Sequence, residues 1–236
     1  MHLAILMSNT DESEFAQQHP KDGEKWQALL APLMPDAEFT VYSVKDGEFP
    51  TDESIYDGWI ITGSPASVHD VDPWLEALFA LIRRIVARGT PLFGACFGHQ
   101  AIAMALGGHV AQNPGGWVFG TTETEVTSQV CELAPWMTPG PIRQYAAHIE
   151  QVVDLPKDAQ VVMANADCPV GGFVIGSRVF TTQYHPEMTH HFIGALIEEL
   201  ADQKPAEVID TARASLDQTA ENGRFGRWIV AFLRSA

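Results

Sequence analysis

The stretch that most restricts how this chain can fold is Pro91-Leu92-Phe93-Gly94-Ala95-Cys96-Phe97-Gly98-His99-Gln100. A short apolar run ends in a cysteine set between two glycines, and an alanine-rich helical segment starts at once. A strand that meets a helix through so sharp a turn lifts the intervening side chain above the carboxyl edge of a sheet. Backbone at such a turn is strained, and the flanking glycines are expected to absorb that strain. The cysteine also falls at a helix N-terminus, where free N–H groups and the helix dipole favour the thiolate. The segment therefore predicts a strand-turn-helix unit that presents a nucleophile.

The flanking sequence alternates in the same way. Residues 2–7 read as a strand, 23–33 as an amphipathic helix closed by Pro35, 38–44 as a strand, and 58–62 as a short apolar strand ending in the turn Gly63-Ser64-Pro65. Asp72-Pro73 opens a helix to about residue 88, with Asp72 as its cap and Pro73 at its first position. Leu75, Leu78, Phe79, Ile82, Ile85 and Val86 supply its apolar stripe. Residues 91–95 form the next strand, and 97–106 a helix stopped by Gly107-Gly108. From about His109, strand-like segments dominate, at 117–126, 141–146, 160–164, 172–175 and 178–183. A helix returns at 189–201, and residues 203–236 are polar at first, then amphipathic around Trp228, Ile229, Phe232 and Leu233. This order predicts an α/β fold: an open, mostly parallel sheet with helices on both faces and a β-rich antiparallel addition in the second half. Without a repeat, low-complexity tract or linker, residues 1–236 read as a single domain, with a core over 1–201 and a C-terminal helical extension over 202–236.

A formal net charge of −16 argues against a nucleic-acid partner, which would need clustered Lys and Arg. No apolar run approaches the roughly 20 residues of a membrane span, and the N-terminus lacks a basic leader, so no membrane and a cytoplasmic location are expected. Three cysteines without a C-x-x-C pair suggest neither disulfides nor a zinc site. His190-His191 are neighbours that point apart on a helix, so no metal is expected. No glycine loop is followed by the lysine of a phosphate cradle, and no cofactor is expected.

A cysteine nucleophile needs a base, itself oriented by a carboxylate. His185 lies in Phe180-Thr181-Thr182-Gln183-Tyr184-His185-Pro186-Glu187, at a strand end, and Glu187 two residues on is placed to orient it. Oxyanion donors are offered by the backbone of Phe97, at the start of the helix, and of Gly63-Ser64, at the end of the preceding strand. In open α/β sheets such strand ends line the site.

These segments resemble class I, triad-type glutamine amidotransferases. Gly94-Ala95-Cys96-Phe97-Gly98-His99-Gln100 is similar to their G-x-C-x-G-x-Q elbow, and Gln183-Tyr184-His185-Pro186-Glu187 to their Q-[FY]-H-P-E segment. Thr62-Gly63-Ser64-Pro65 falls where they carry the S-G-G-P loop, and Ala147-His148-Ile149-Glu150-Gln151-Val152 with Leu155-Pro156 resembles S-H-x-D-x-V…L-P. Stand-alone members that resemble the glutaminase half of GMP synthase look nearest, with Ser67-Val68-His69-Asp70 and Asp72-Pro73-Trp74 as an added likeness. The resemblance implies a flavodoxin-like domain that hydrolyses the γ-amide of glutamine through a thioester, giving glutamate and ammonia. In it, Cys96 attacks, His185 shuttles the proton and Glu187 orients His185. Gly63, Ser64 and Phe97 form the oxyanion hole, and Gln100, Ala147, His148 and Ile149 contact the substrate. Ser64 replaces a glycine, Ala147 replaces a Ser or Asn, and the stretch after residue 201 is expected to be too short for a synthetase domain. Either a separate synthetase chain accepts the ammonia, or the substrate is another γ-glutamyl compound, as in a γ-glutamyl peptidase. A non-catalytic partner subunit is the rival from another class.

Overall fold

Runs such as Leu3-Ala4-Ile5-Leu6 and Trp59-Ile60-Ile61 have no polar alternation, so both of their faces must be covered, which places them as central strands of a parallel sheet. The computed structural model describes residues 1–127 and 129–235. Its strands are β1 (His2–Met7), β2 (Glu38–Ser43), β3 (Gly58–Ile61), β4 (Leu92–Ala95), β5 (His109–Gln112), β6 (Val118–Val126), β7 (Gly140–His148), β8 (Glu150–Asp154), β9 (Gln160–Met163), β10 (Gly172–Ile175) and β11 (Val179–Thr182). Its helices are α1 (Glu14–Gln17), α2 (Asp22–Leu30), α3 (Pro73–Arg88), α4 (Phe97–Ala105), α5 (Val130–Leu133), α6 (His190–Glu199), α7 (Ala206–Ser215) and α8 (Asn222–Ser235).

The main sheet runs β2-β1-β3-β4-β11-β10-β9. Its first five strands are mutually parallel, while β10 is antiparallel to both β11 and β9. Hence β1, β3, β4 and β11 all release the chain at one edge, and the residues that follow them meet there. On one face α3 and α4 lay Leu75, Leu78, Ile82, Ile85 and Ile102 on Ala4, Leu6 and Ile61. On the other, α2 and α8 set Trp26, Leu30, Phe225, Trp228 and Phe232 against Leu3, Ile5, Phe93 and Phe180. The Phe180 and Phe225 rings stack at 5.8 Å. Each such large side chain contributes about 1.5–3 kcal/mol by leaving water. The last helix thus covers one face of the sheet.

Two antiparallel ribbons, β6–β7 and β5–β8, stand apart from the main sheet. The mostly parallel sheet, the helices on both faces and the antiparallel addition agree with the sequence-based expectation. Several local features do not. Strand β7 runs to His148, so Ala147 and His148 lie within the ribbon, paired with Phe119 and Val118. Asp72 stands at the extended N-cap position of α3 but makes no side-chain cap hydrogen bond. Strands β5 and β8 were not among the expected strands. The helical extension expected over 202–236 divides into α7 and α8, and Ile209 and Ala212 of α7 find an apolar surface at Phe119 and Tyr145. Among the described residues no helix is long and apolar enough to cross a membrane.

Candidate active site

Cys96 follows β4 directly and occupies the N-cap position of α4 with φ 50° and ψ −108°. A positive φ is strained for a residue with a Cβ, and surrounding bonds must hold it. They do: the Cys96 N–H donates to Thr182 O at 2.8 Å, and Gln100 N–H donates to Cys96 O at 3.1 Å. The flanking glycines act differently from the expectation, since neither Gly94 nor Gly98 is among the residues with positive φ. They supply clearance. A Cβ on Gly94 would lie 2.7 Å from the Gly98 carbonyl oxygen, and one on Gly98 would collide with Ile61 O. The strain sits on the cysteine itself.

His185 and Glu187 come from the turn after β11. The His185 ring donates through Nδ1 to Glu187 Oε1 at 2.7 Å, with both side chains buried. Burial opposes a charge on this ring, but the negative groups of Cys96 and Glu187 outweigh it and hold its pKa well above the ordinary 6.5. A Cβ built on Gly63 would lie 2.7 Å from His185 Cε1 and 3.6 Å from Cys96 Cβ, so ring and thiol-bearing carbon flank the same point. Gln183 Nε2 donates to Cys96 Sγ at 3.7 Å, and Gln183 Oε1 accepts from Gln100 Nε2 at 3.2 Å.

The third strand end, Thr62-Gly63-Ser64, is held from behind. Gly63 O accepts from Thr62 Oγ1 at 3.0 Å and from Ser8 Oγ at 3.2 Å. Ser64 Oγ accepts the Ala66 N–H at 3.1 Å, so this hydroxyl closes the turn. Among the described residues, neither the Ser64 N–H nor the Phe97 N–H has a hydrogen-bond partner.

Gly63, Ser64, Cys96, Gln100, Ala147, His148, Ile149 and His185 all line one cleft of about 520 Å³. Glu187 lies behind His185, outside that lining, and Phe97 offers its backbone only. Gln100 spends both amide hydrogens internally, on Gln183 and on Glu150 O at 2.7 Å, which leaves its Oε1 as an acceptor. Burial pushes the His148 ring down to about 4. Its Nδ1–H donates to Glu150 O at 3.1 Å, and the buried Nε2 is an acceptor without a partner among the described residues. Residues given no role from the sequence complete the site. Glu150 accepts from Ser67 Oγ at 2.9 Å at the cleft edge. Trp117, Met188, Phe192, Leu196 and Leu200 form an apolar wall. Gln183 was legible as part of the segment that ends in His185-Pro186-Glu187; Ser8, one residue past a plain apolar strand, carried no local signal. No group of three His, Cys, Asp or Glu side chains gathers as a metal site among the described residues.

A cysteine at a strand-to-helix turn and a buried His–Glu pair lie at adjoining ends of a parallel sheet, and comparison with known proteins gives the family of the chain. Residues 35–199 match the family model described as glutamine amidotransferase class-I. The chain belongs to that family. Similar proteins include gamma-glutamyl peptidase 3 of Arabidopsis thaliana, 24% identical over 218 residues that cover 89% of this chain and 82% of the relative. GMP synthase [glutamine-hydrolyzing] of Aeropyrum pernix is 32% identical over 133 residues, covering 56% of this chain and 24% of that longer protein. A glutamine amidotransferase structure from Thermotoga maritima superposes with a TM-score of 0.74 at 20% identity, over 98% of this chain and 97% of that one.

Proposed function

We propose that this chain is a cysteine-dependent hydrolase of γ-glutamyl amides, acting on the γ-amide of glutamine to give glutamate and ammonia. One observation carries the reading: Cys96, a Glu187-bound His185 and two unpartnered N–H groups converge at neighbouring strand ends. Cys96 Sγ attacks the γ-carbonyl carbon as a thiolate paired with the His185 imidazolium. The C–N bond then breaks as His185 gives its proton to the departing nitrogen. His185 next takes a proton from the water that attacks the thioester, which frees glutamate and restores the pair. Glu187 holds the ring in the tautomer that faces the sulfur. The Ser64 and Phe97 N–H groups hold the oxyanion; loss of one such donor costs about 100- to 1000-fold in kcat. Gly63 contributes the space beside them. Gln100, through its Oε1, the His148 ring and the backbone of Ala147 and Ile149 line the part of the cleft that receives the amino-acid end of the substrate. Residues 1–236 act as one functional unit, with α8 part of its core, and a separate synthetase chain is a receiver for the ammonia.

A second reading, a γ-glutamyl peptidase with the same chemistry, is favoured by the apolar wall, which ammonia as a leaving group does not require. The Arabidopsis relative bears that name. Glutamate release from glutamine and from γ-glutamyl-leucine, assayed side by side, decides between the two substrates. Cys96→Ala is expected to lower both rates at least about 10⁴-fold, the scale seen when a hydrolase nucleophile is removed. Full turnover in that variant removes the mechanism. A wild-type chain that neither turns over nor reacts at Cys96 with a glutamine-mimicking electrophile is a non-catalytic subunit.

A further inference from the structure

We propose that the hydroxyls of Ser8 and Thr62 are the positioning groups that lock the peptide between Gly63 and Ser64 with its N–H turned toward Cys96. The inference rests on the reading of Cys96 as nucleophile and concerns what controls the loop beside it. In a trans peptide the C=O of one residue and the N–H of the next point in opposite directions, and the described residues contain no cis bond. The Gly63 carbonyl points back to Ser8, which is fully buried, whereas Gly63 and Ser64 line the cleft. The Ser64 N–H therefore points away from Ser8, toward the cleft that holds Cys96.

The hydrogens close without a conflict. The Ser8 N–H donates to Thr62 Oγ1 at 3.0 Å, which commits that oxygen as an acceptor there and leaves its own hydrogen for Gly63 O. The Ser8 hydroxyl donates to Thr62 O at 3.0 Å or to Gly63 O at 3.2 Å. Thr62 O is fixed independently by the Gly98 N–H at 3.1 Å, which ties the loop to the helix that carries the other donor, Phe97. Glycine at 63 is demanded by His185, and a glycine peptide turns over easily. The two hydroxyls remove that freedom. A reversed peptide would strip Thr62 Oγ1 of its carbonyl acceptor in a buried place and turn a carbonyl oxygen toward the developing oxyanion. Ser8 and Thr62 touch no reacting atom; they are positioning residues.

The test compares wild type, Thr62→Val and Ser8→Ala/Thr62→Val as full-length chains with no second protein present. Wild type is expected to hydrolyse glutamine alone with kcat on the order of 1 s⁻¹ or more. The double variant is expected to lose about 100-fold in kcat while KM stays within about threefold and Cys96 alkylation by iodoacetamide, which forms no oxyanion, keeps its rate. Binding of a γ-glutamyl aldehyde, whose adduct carries the oxyanion, should weaken by the same factor. Should the double variant fail to fold, the isosteric Thr62→Val alone is read, with about a tenfold fall in kcat expected. A folded variant within threefold of wild-type kcat overturns the lock, as does a joint fall of kcat, substrate affinity and alkylation rate. So does a wild type whose Cys96 reacts with a glutamine-mimicking electrophile yet is idle on glutamine and γ-glutamyl-leucine, which leaves the nucleophile reading intact. A Cys96 unreactive in every assay ends that reading and the lock with it.

Discussion

The floor of the cleft is made of strand ends and its outer wall of helix faces, and the two are built from different materials. On the floor, Cys96, Gln183, His185, Glu187, Thr62 and Ser8 are buried, and direct hydrogen bonds tie Gln183 to Cys96, His185 to Glu187, and Ser8 to Thr62. On the wall, Phe192, Leu196 and Leu200 of α6 and the loop after it, with Trp117 opposite, remain half-exposed and make apolar contact. The cations there sit over rings: Lys25 Nζ is 3.6 Å from the Phe192 centroid and Lys204 Nζ 3.8 Å from that of Trp117. A polar network in a dry place has one satisfied arrangement, so it sets the angles that chemistry requires. An apolar, partly wet surface tolerates change of shape, which in the proposed hydrolase suits the choice of leaving group. The difference predicts that damage to the floor will be steep and damage to the wall graded.

The largest effect expected is on stability in acid, since the floor keeps two histidines neutral. Burial, the leading cause in each case, pushes His99 down to about 3 and His148 down to about 4. Their folded pKa values lie below the unfolded 6.5, so the unfolded chain binds more protons as pH falls. The stability they hold is complete above pH 6.5 and is lost below it. Between pH 7 and pH 4.5 the loss should be about 5 kcal/mol, from roughly two pKa units for each ring. His185 has a raised pKa, so its contribution is full below 6.5 and is lost on the alkaline side; in this window it changes only between pH 6.5 and 7, where it offsets less than about 1 kcal/mol of the loss. Urea melts at the two pH values read the loss, and His99→Gln should remove about half of it. A flat profile would mean that these rings open to water.

Next is Glu187→Gln, which keeps the volume behind His185 and removes the charge. We expect kcat to fall about 1000-fold. Because the carboxylate helps to raise the His185 pKa, the alkaline limb of the pH–rate profile should move to lower pH. An unmoved limb would assign that limb to another group. Gly63→Ala follows: its methyl must displace the His185 ring, 2.7 Å from the ideal Cβ, and kcat should drop about 100-fold. A crystal structure with the ring unmoved and full activity would show that the floor yields more than its packing indicates. The wall should give least. Leu196→Ala is expected to lower kcat/KM for γ-glutamyl-leucine about tenfold relative to that for glutamine, by removing apolar contact with the leaving group. An equal fall on both substrates would make this wall merely structural.

Much of the floor was legible locally. The apolar run into Cys96, the His185-Pro186-Glu187 segment and the turn at Gly63 each carry a strand-end signature within a few residues. The structure brings all three to one edge because β3, β4 and β11 are adjacent and parallel. Strands β5 and β8 were not legible. They are four and five residues long, and few of their side chains face the interior, too little for a period to show. Where α7 packs was hidden for a related reason: its apolar residues matter only against Phe119 and Tyr145, which lie far away in sequence.

The chain's own order of residues therefore settles which elements form along the parallel half and which side chain each strand end offers, because period, turn chemistry and burial are local demands. It does not settle which peptide of the 62–64 loop faces the sulfur, that both amide hydrogens of Gln100 are already engaged, or that Ser8 stands behind the loop. Those follow from hydrogen bonds between segments fifty or more residues apart, and such bonds exist only once the sheet has set its register.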